Sequence, residues 1–277
     1  MSAVQKALQS NPDYPPAIYL LGELQYRRGE NEQAARTLGQ YLRMLPSDRA
    51  ALTLLARVQL ALNQPDQSLS LLQPLLQENP TDSILLSLTS QAQVQQKNPA
   101  AAAATLQKAV ELNPGDAGLH SQFGLVKLEA GDVDTAMAEL NTAAGLDKKR
   151  VEPLVALTLL HLRQKQYDLA LDTLEQLRAT VPNSPVVYNL IGVVHLNKKN
   201  DAEARRQFER ALELQPVYMA ATINLAQMDL RDGKPQAAEA RYKNVLAKDS
   251  NNLLALLALA DLARARKDEQ AFLDLLA

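Results

Sequence analysis

Proline returns every 34 residues along this chain, at Pro12, Pro46, Pro80, Pro114, Pro182 and Pro216, and the place midway between Pro114 and Pro182 where another would fall is held by Lys148. A fixed period of that length marks a repeat architecture, in which each segment buries its apolar face only by stacking on its neighbours. Function in such a chain is carried by an extended surface, so the inner and outer faces of the stack are where it must be sought.

Placing the proline thirty-second in a 34-residue unit starts the units at Pro15, Arg49, Ser83, Ala117, Val151, Pro185, Met219 and Leu253. Other residues then fall into columns. A small residue stands at Ala34, Ser68, Ala102, Ala136, Ala170, Ala204 and Ala238, and a large apolar one at Leu38, Leu72, Leu106, Leu140, Leu174, Phe208 and Tyr242. Earlier in most units an apolar residue precedes a small one, as in Leu21-Gly22, Phe123-Gly124 and Ile191-Gly192. Each unit divides into two amphipathic stretches whose apolar residues recur three and four positions apart, which predicts two antiparallel helices. Gly29, Asn63, Gly131 and Gly233 fall between them and can end the first helix in the left-handed conformation. Lys97, Lys165, Lys199 and Lys267 occupy the same place, at a cost on the order of 1 kcal/mol each if φ is positive there. Pro65, Pro99 and Pro235 suit the first turn of the second helix, where a missing N–H costs nothing.

These columns resemble the tetratricopeptide repeat along the whole chain. The departures are the absent tryptophan of the first column, where Ile18, Leu52, Leu86, His120, Leu154, Tyr188 and Thr222 stand, and the non-proline ends at Lys148 and Ser250. The resemblance implies an all-α fold, a right-handed α-solenoid of stacked helix-turn-helix units in one continuous domain. Residues 1–14 read as the second helix of a truncated preceding repeat, 15–252 as seven full units, and 253–277 as an incomplete eighth. The Leu-rich start of that last unit, Leu253 to Leu259, leads to an expectation of end-to-end self-association through uncovered apolar ends.

Composition narrows the partners. With 29 basic and 31 acidic residues the formal charge is −2, too weak a field to draw nucleic acid or an anionic membrane. No apolar stretch approaches the roughly 20 residues that span a bilayer, so direct membrane insertion is not expected. Cysteine is absent, which excludes disulfides, thiolate metal sites and a catalytic thiol, and leaves the compartment open.

No phosphate loop, nucleophile elbow, zinc-ligand spacing or dinucleotide fingerprint occurs, so neither an enzyme nor a cofactor nor a metal site is expected. His161 and His195 stand 34 residues apart in one column, and His120 lies in the first column. All three read as packing residues on the apolar stripe. The run Lys148-Lys149-Arg150 does not recur at the repeat period and reads as a solvated turn.

The resemblance further implies a concave face lined by the second, fifth, ninth and twelfth residues of each unit. Candidate partner-binding residues there are Tyr19, Ile84, Leu125, Val155, Leu159, Val186, Asn189, Val193, Ile223 and Gln227. This set is largely apolar and suits an amphipathic helix or an extended apolar peptide. The paired basic residues with which some family members hold a chaperone's carboxyl terminus are missing. The segments Tyr188 to Leu196, Ala221 to Leu230 and Val245 to Asp249 are similar to those of long bacterial tetratricopeptide proteins of exopolysaccharide export and exosortase sorting. That likeness implies a periplasmic protein-interaction scaffold. The alternatives are the docking or regulatory arm of an enzyme and a cytoplasmic co-chaperone.

Overall fold

The structure, a computed structural model, describes residues 2–266 and 268. Its elements among these residues are helices alone: α1 (Ser2–Ser10), α2 (Pro15–Arg27), α3 (Asn31–Met44), α4 (Arg49–Ala61), α5 (Pro65–Glu78), α6 (Ser83–Gln95), α7 (Pro99–Leu112), α8 (Ala117–Glu129), α9 (Val133–Leu146), α10 (Val151–Arg163), α11 (Tyr167–Thr180), α12 (Pro185–Asn197), α13 (Asp201–Leu214), α14 (Met219–Arg231), α15 (Pro235–Leu246) and α16 (Leu253–Ala265). The expected second helix of the eighth unit, and Lys267, lie outside the described residues.

The chain divides into two compact units, Met1–Asp147 and Lys148–Ala277, where the sequence reading expects one continuous domain. The division falls at the junction where Lys148 stands in the proline column. Unit 1 holds α1 to α9 and unit 2 holds α10 to α16. Within each, a first helix packs on the second helix of its own repeat, and that helix packs on the first helix of the next. The small-residue column sits at the crossing of the two helices of a repeat, with Ala34, Ala102, Ala136, Ala170, Ala204 and Ala238 all completely buried. Leu38, Leu72, Leu106, Leu140, Leu174 and Phe208 are equally buried, each worth roughly 1.5–3 kcal/mol of transfer free energy.

Among the described residues, each turn between the two helices of a repeat is closed in one way. Gly29, Asn63, Lys97, Gly131, Lys165, Lys199 and Gly233 all have positive φ, between 55° and 83°. The next residue then donates its N–H back five positions, as Gln64 does to the Gln59 carbonyl (2.8 Å) and Gln166 to that of His161 (2.8 Å). This Schellman closure satisfies carbonyls that the helix end would leave without partners. Pro65, Pro99 and Pro235 begin α5, α7 and α15, as their spacing predicts.

Between repeats the second helix ends in the residue directly before the column proline, which leaves helical geometry with φ of −133° at Leu45 and −131° at Val181. Asp147 has a similar φ (−132°) although no proline follows it closely. At the other non-proline end the pattern changes: α15 stops at Leu246 and Ala247 stays near helical geometry (φ −62°). Restarts are capped by side chains that the column reading passes over. Asp48, Asp82, Asp116 and Asn252 accept N–H groups from the first turns of α4, α6, α8 and α16, contacts worth about 1 kcal/mol each.

Candidate functional site

In unit 1 the first helices touch one another, α2 against α4, α4 against α6 and α6 against α8. Polar bonds tie them: Gln95 Nε2 donates to the Leu60 carbonyl (3.0 Å) and Ser87 Oγ to Gln122 Oε1 (2.9 Å). The face they share is a channel of two adjoining cavities, one of about 620 Å³ reaching over α2 and α4 and one of about 470 Å³ reaching over α6 to the start of α8. Tyr26, Arg57 and Ile84 belong to both. Of the sequence-derived candidates, Tyr19 and Ile84 line this channel, and Ile84 is 50% exposed. Leu125, 41% exposed on α8, is not part of its wall.

The chemistry of the channel is more polar than the candidate set suggests. Arg27 pairs with Glu23 (2.6 Å) and Arg49 with Asp82 (2.5 Å). Burial, then the carboxylates of Glu23 and Asp48, push the Tyr19 phenol up, so its hydroxyl stays neutral. Its ring lies 5.4 Å from that of Tyr41, whose hydroxyl donates to Asp48 Oδ2 at 2.6 Å. Gln95 and Gln122 escape a reading by repeat columns because they stand one place beyond the inner-face positions. Their amides are found only by seeing which helices meet.

In unit 2 the candidates divide. Leu159 (51% exposed), Val186 (41%) and Gln227 lie open on α10, α12 and α14. Val155, Val193 and Ile223 are half-buried, with Val193 packed on the cluster around Phe208 and Ile223 on that around Tyr242. Asn189 is 8% exposed and accepts a hydrogen bond from Asn224 Nδ2 at 2.9 Å. It is therefore a tie between α12 and α14 and not an open groove contact, because the next first helix covers its position. A buried charged group joins the helices behind this face: Asp229 on α14 accepts from Arg205 Nη1 (2.6 Å) and Arg241 Nε (2.5 Å). Burial pushes the Asp229 carboxyl up, but the two guanidinium groups outweigh it and hold the group below the usual carboxylate range.

The histidines serve packing and turns. His161 is buried with Nδ1 2.9 Å from Gln166 Oε1, and the Nδ1 of half-buried His195 has no hydrogen-bond partner. His120 fixes α8 to α9, its Nδ1 2.6 Å from Glu139 Oε2 and its Nε2 3.0 Å from the Pro114 carbonyl oxygen. Among the described residues no group of three or more acidic, histidine or cysteine side chains is placed to hold a metal ion, and no helix is long and apolar enough to cross a membrane. Of the apolar end in α16, Leu253, Leu254 and Leu257 are exposed, but Leu259 is 4% exposed and packs with Ala255 in the cluster around Tyr242. Leu259 thus belongs to the core, because the helix turns that face inward onto α15.

Three family models described as tetratricopeptide repeat match the chain, one at residues 1–58, 93–158 and 127–194, a second at 53–117 and a third at 186–218. The chain is a tetratricopeptide repeat protein. Its tetratricopeptide units are similar to part of the anaphase-promoting complex subunit 6 of Arabidopsis thaliana, 30% identical over 132 residues, which is 46% of this chain and 24% of that protein. A protein O-mannosyl-transferase of Caenorhabditis elegans, F38B6.6, is 31% identical over 90 residues, 32% of this chain and 13% of its own length. The chain thus spans about a quarter or less of the curated relatives it matches. Among solved structures, the C-terminal part of a tetratricopeptide protein from Cytophaga hutchinsonii superposes with a TM-score of 0.64 at 14% identity, over 87% of this chain and 99% of that one. Such likeness shows the helical-repeat fold, which in this family is generally a non-catalytic scaffold for protein interaction.

Proposed function

We propose that the chain is a protein-interaction scaffold that takes a peptide or helix on the inner faces of its first helices, with no catalytic role of its own. The observation that supports this is that each compact unit leaves apolar inner-face side chains open, with Ile84 and Leu125, the second and ninth residues of their repeats, exposed in unit 1 and Leu159 and Val186, a ninth and a second, exposed in unit 2. Apolar side chains left open on an inner face suit a linear apolar ligand. The reading is tested by capture from cells of the source organism, followed by affinity measurement with the purified partner. A variant carrying Leu159→Asp and Val186→Asp is compared with the parent, both substitutions falling on exposed positions so that helicity is retained. Loss of the partner by the variant supports the reading, and equal binding by both moves the site off the unit 2 inner face.

The narrower proposal is a role in bacterial exopolysaccharide export or protein sorting, in the periplasm, supported by the likeness of Tyr188 to Leu196 and its companion segments. Cell fractionation of the native protein tests the compartment. A second reading, a docking arm attached to catalytic machinery, takes its support from the partial match to a protein named as a mannosyl-transferase. A catalytic motif elsewhere in the same polypeptide would favour it.

A further inference from the structure

Resting on that binding reading, we propose that the unit 1 channel takes an extended peptide that passes through it and sets one acidic side chain on Arg57. The other charged groups of the channel are engaged. Glu23 and Arg27 hold each other, Arg49 and Asp82 hold each other, and Asp116 Oδ1 accepts the N–H groups of Gly118 (2.8 Å) and Leu119 (3.2 Å) at the start of α8. Arg57 is exposed and, among the described residues, has neither an ion pair nor a hydrogen bond, and it stands where the two cavities adjoin. A guanidinium in that setting, walled by Tyr26 and Ile84, is matched by one carboxylate held as a charge-assisted pair.

Charge count selects against a polyanion. Arg27, Arg49 and Arg57 are balanced by Glu23, Asp82 and Asp116, so a run of phosphates would meet as many anions as cations, whereas a single carboxylate completes Arg57. The channel continues on both sides of Arg57, toward α2 and toward α8. That continuity fits an acidic residue inside a peptide and not a terminal carboxylate. Beyond Arg57, Gln122 spends its Oε1 on Ser87 and Gln91 directs its Nε2 at the same hydroxyl (3.4 Å). The Gln122 side-chain NH2 and the Gln91 side-chain oxygen are left as a donor group and an acceptor. An extended main chain needs such partners and a helix, bonded within itself, does not.

The test selects dodecapeptides from a random library displayed without a free carboxyl terminus, using the full chain as bait. Enriched sequences are made as amidated peptides and measured by fluorescence anisotropy against the parent, Arg57→Gln, and the Leu159→Asp, Val186→Asp variant, each checked for helicity. The expected result is an Asp or Glu at one aligned position with an apolar residue nearby. Replacing that acid by its amide, or Arg57 by Gln, weakens binding at least about tenfold, and the two changes together weaken it no further. Enriched peptides without an acidic position, or binding indifferent to Arg57→Gln, overturn the proposal. Peptides that depend on Leu159 and Val186 instead overturn it while leaving the scaffold reading standing, and failure to enrich any peptide over the bare support overturns both.

Discussion

Three first helices bring a glycine against the large side chain of their partner helix. A Cβ on Gly22 would stand 2.8 Å from Leu38 Cγ, on Gly124 2.7 Å from Leu140 Cγ, and on Gly192 2.5 Å from Phe208 Cε1. At Gly192 three atoms of the rigid Phe208 ring would lie within 3.0 Å of the added Cβ, whereas at Gly22 two atoms of the Leu38 side chain would lie at 2.8 and 2.9 Å. Gly192→Ala is therefore expected to cost about 1–3 kcal/mol as overpacking and more than Gly22→Ala, a ranking read from urea unfolding; equal midpoints would contradict it. Tyr41 carries a pH signature. Its hydrogen bond to Asp48, with burial second, pushes the phenol from 10.0 up to about 12. The folded state thus favours the protonated form, so this contribution is complete below pH about 10 and is lost as pH rises through about 12. Tyr41→Phe should lower stability by about 1–2 kcal/mol at neutral pH and flatten that alkaline loss, as thermal melts between pH 9 and about 12 would show. Asp229, held below the usual range by Arg241 and Arg205, works in the opposite sense, its contribution being present above the usual carboxylate range and lost as pH falls through the lowered value. Asp229→Asn leaves both guanidinium groups short of their counter-charge and should cost about 3–5 kcal/mol, measured by chemical denaturation near neutral pH.

The helix ends show how far local chemistry carries. Among the described residues seven turns share one backbone conformation, yet only three of them place glycine at the positive-φ residue, and Lys97, Lys165 and Lys199 adopt it with φ of 59°, 59° and 60°. Closure by the five-residue hydrogen bond and by helix packing compels the conformation, and the side chain bears the strain. Lys165→Gly is expected to stabilise the protein by about 0.5–1 kcal/mol, relief of that strain exceeding the entropy glycine adds to the unfolded chain. A lowered melting temperature would refute it. The stop positions and the N1 prolines were legible because each is a property of one residue at one place in the period. The caps at Asp48, Asp82 and Asp116 were legible in principle, since an acidic residue just before a helix is a start signal, but attention to the apolar columns hides them.

On the scale of the molecule, each unit contains its own closed clusters, as around Leu106 and Phe123 in unit 1 and around Phe208 and Leu225 in unit 2. Stability in a repeat stack is close to a sum over repeats and their nearest-neighbour contacts. A fragment ending at Asp147 is accordingly expected to fold alone and melt cooperatively, followed by circular dichroism; helical signal without a cooperative transition would contradict this. Period, helix boundaries and the buried columns follow from the order of residues, because each depends on the 3.6-residue turn and on contacts that recur identically in every unit. Depth does not recur identically. Leu159, Asn189 and Ile223 share the inner face by position, yet the first is open, the second is sealed under Asn224 and the third is packed on the cluster around Tyr242. Likewise Arg57 and Arg49 are both cations of that face, and only the placement of Asp82 decides which of them is already paired. The sequence by itself determined the repeat, its helices and the face each residue occupies, while the tertiary structure alone decided which side chains on that face remain open, because exposure depends on how closely the next helix approaches and on what it carries.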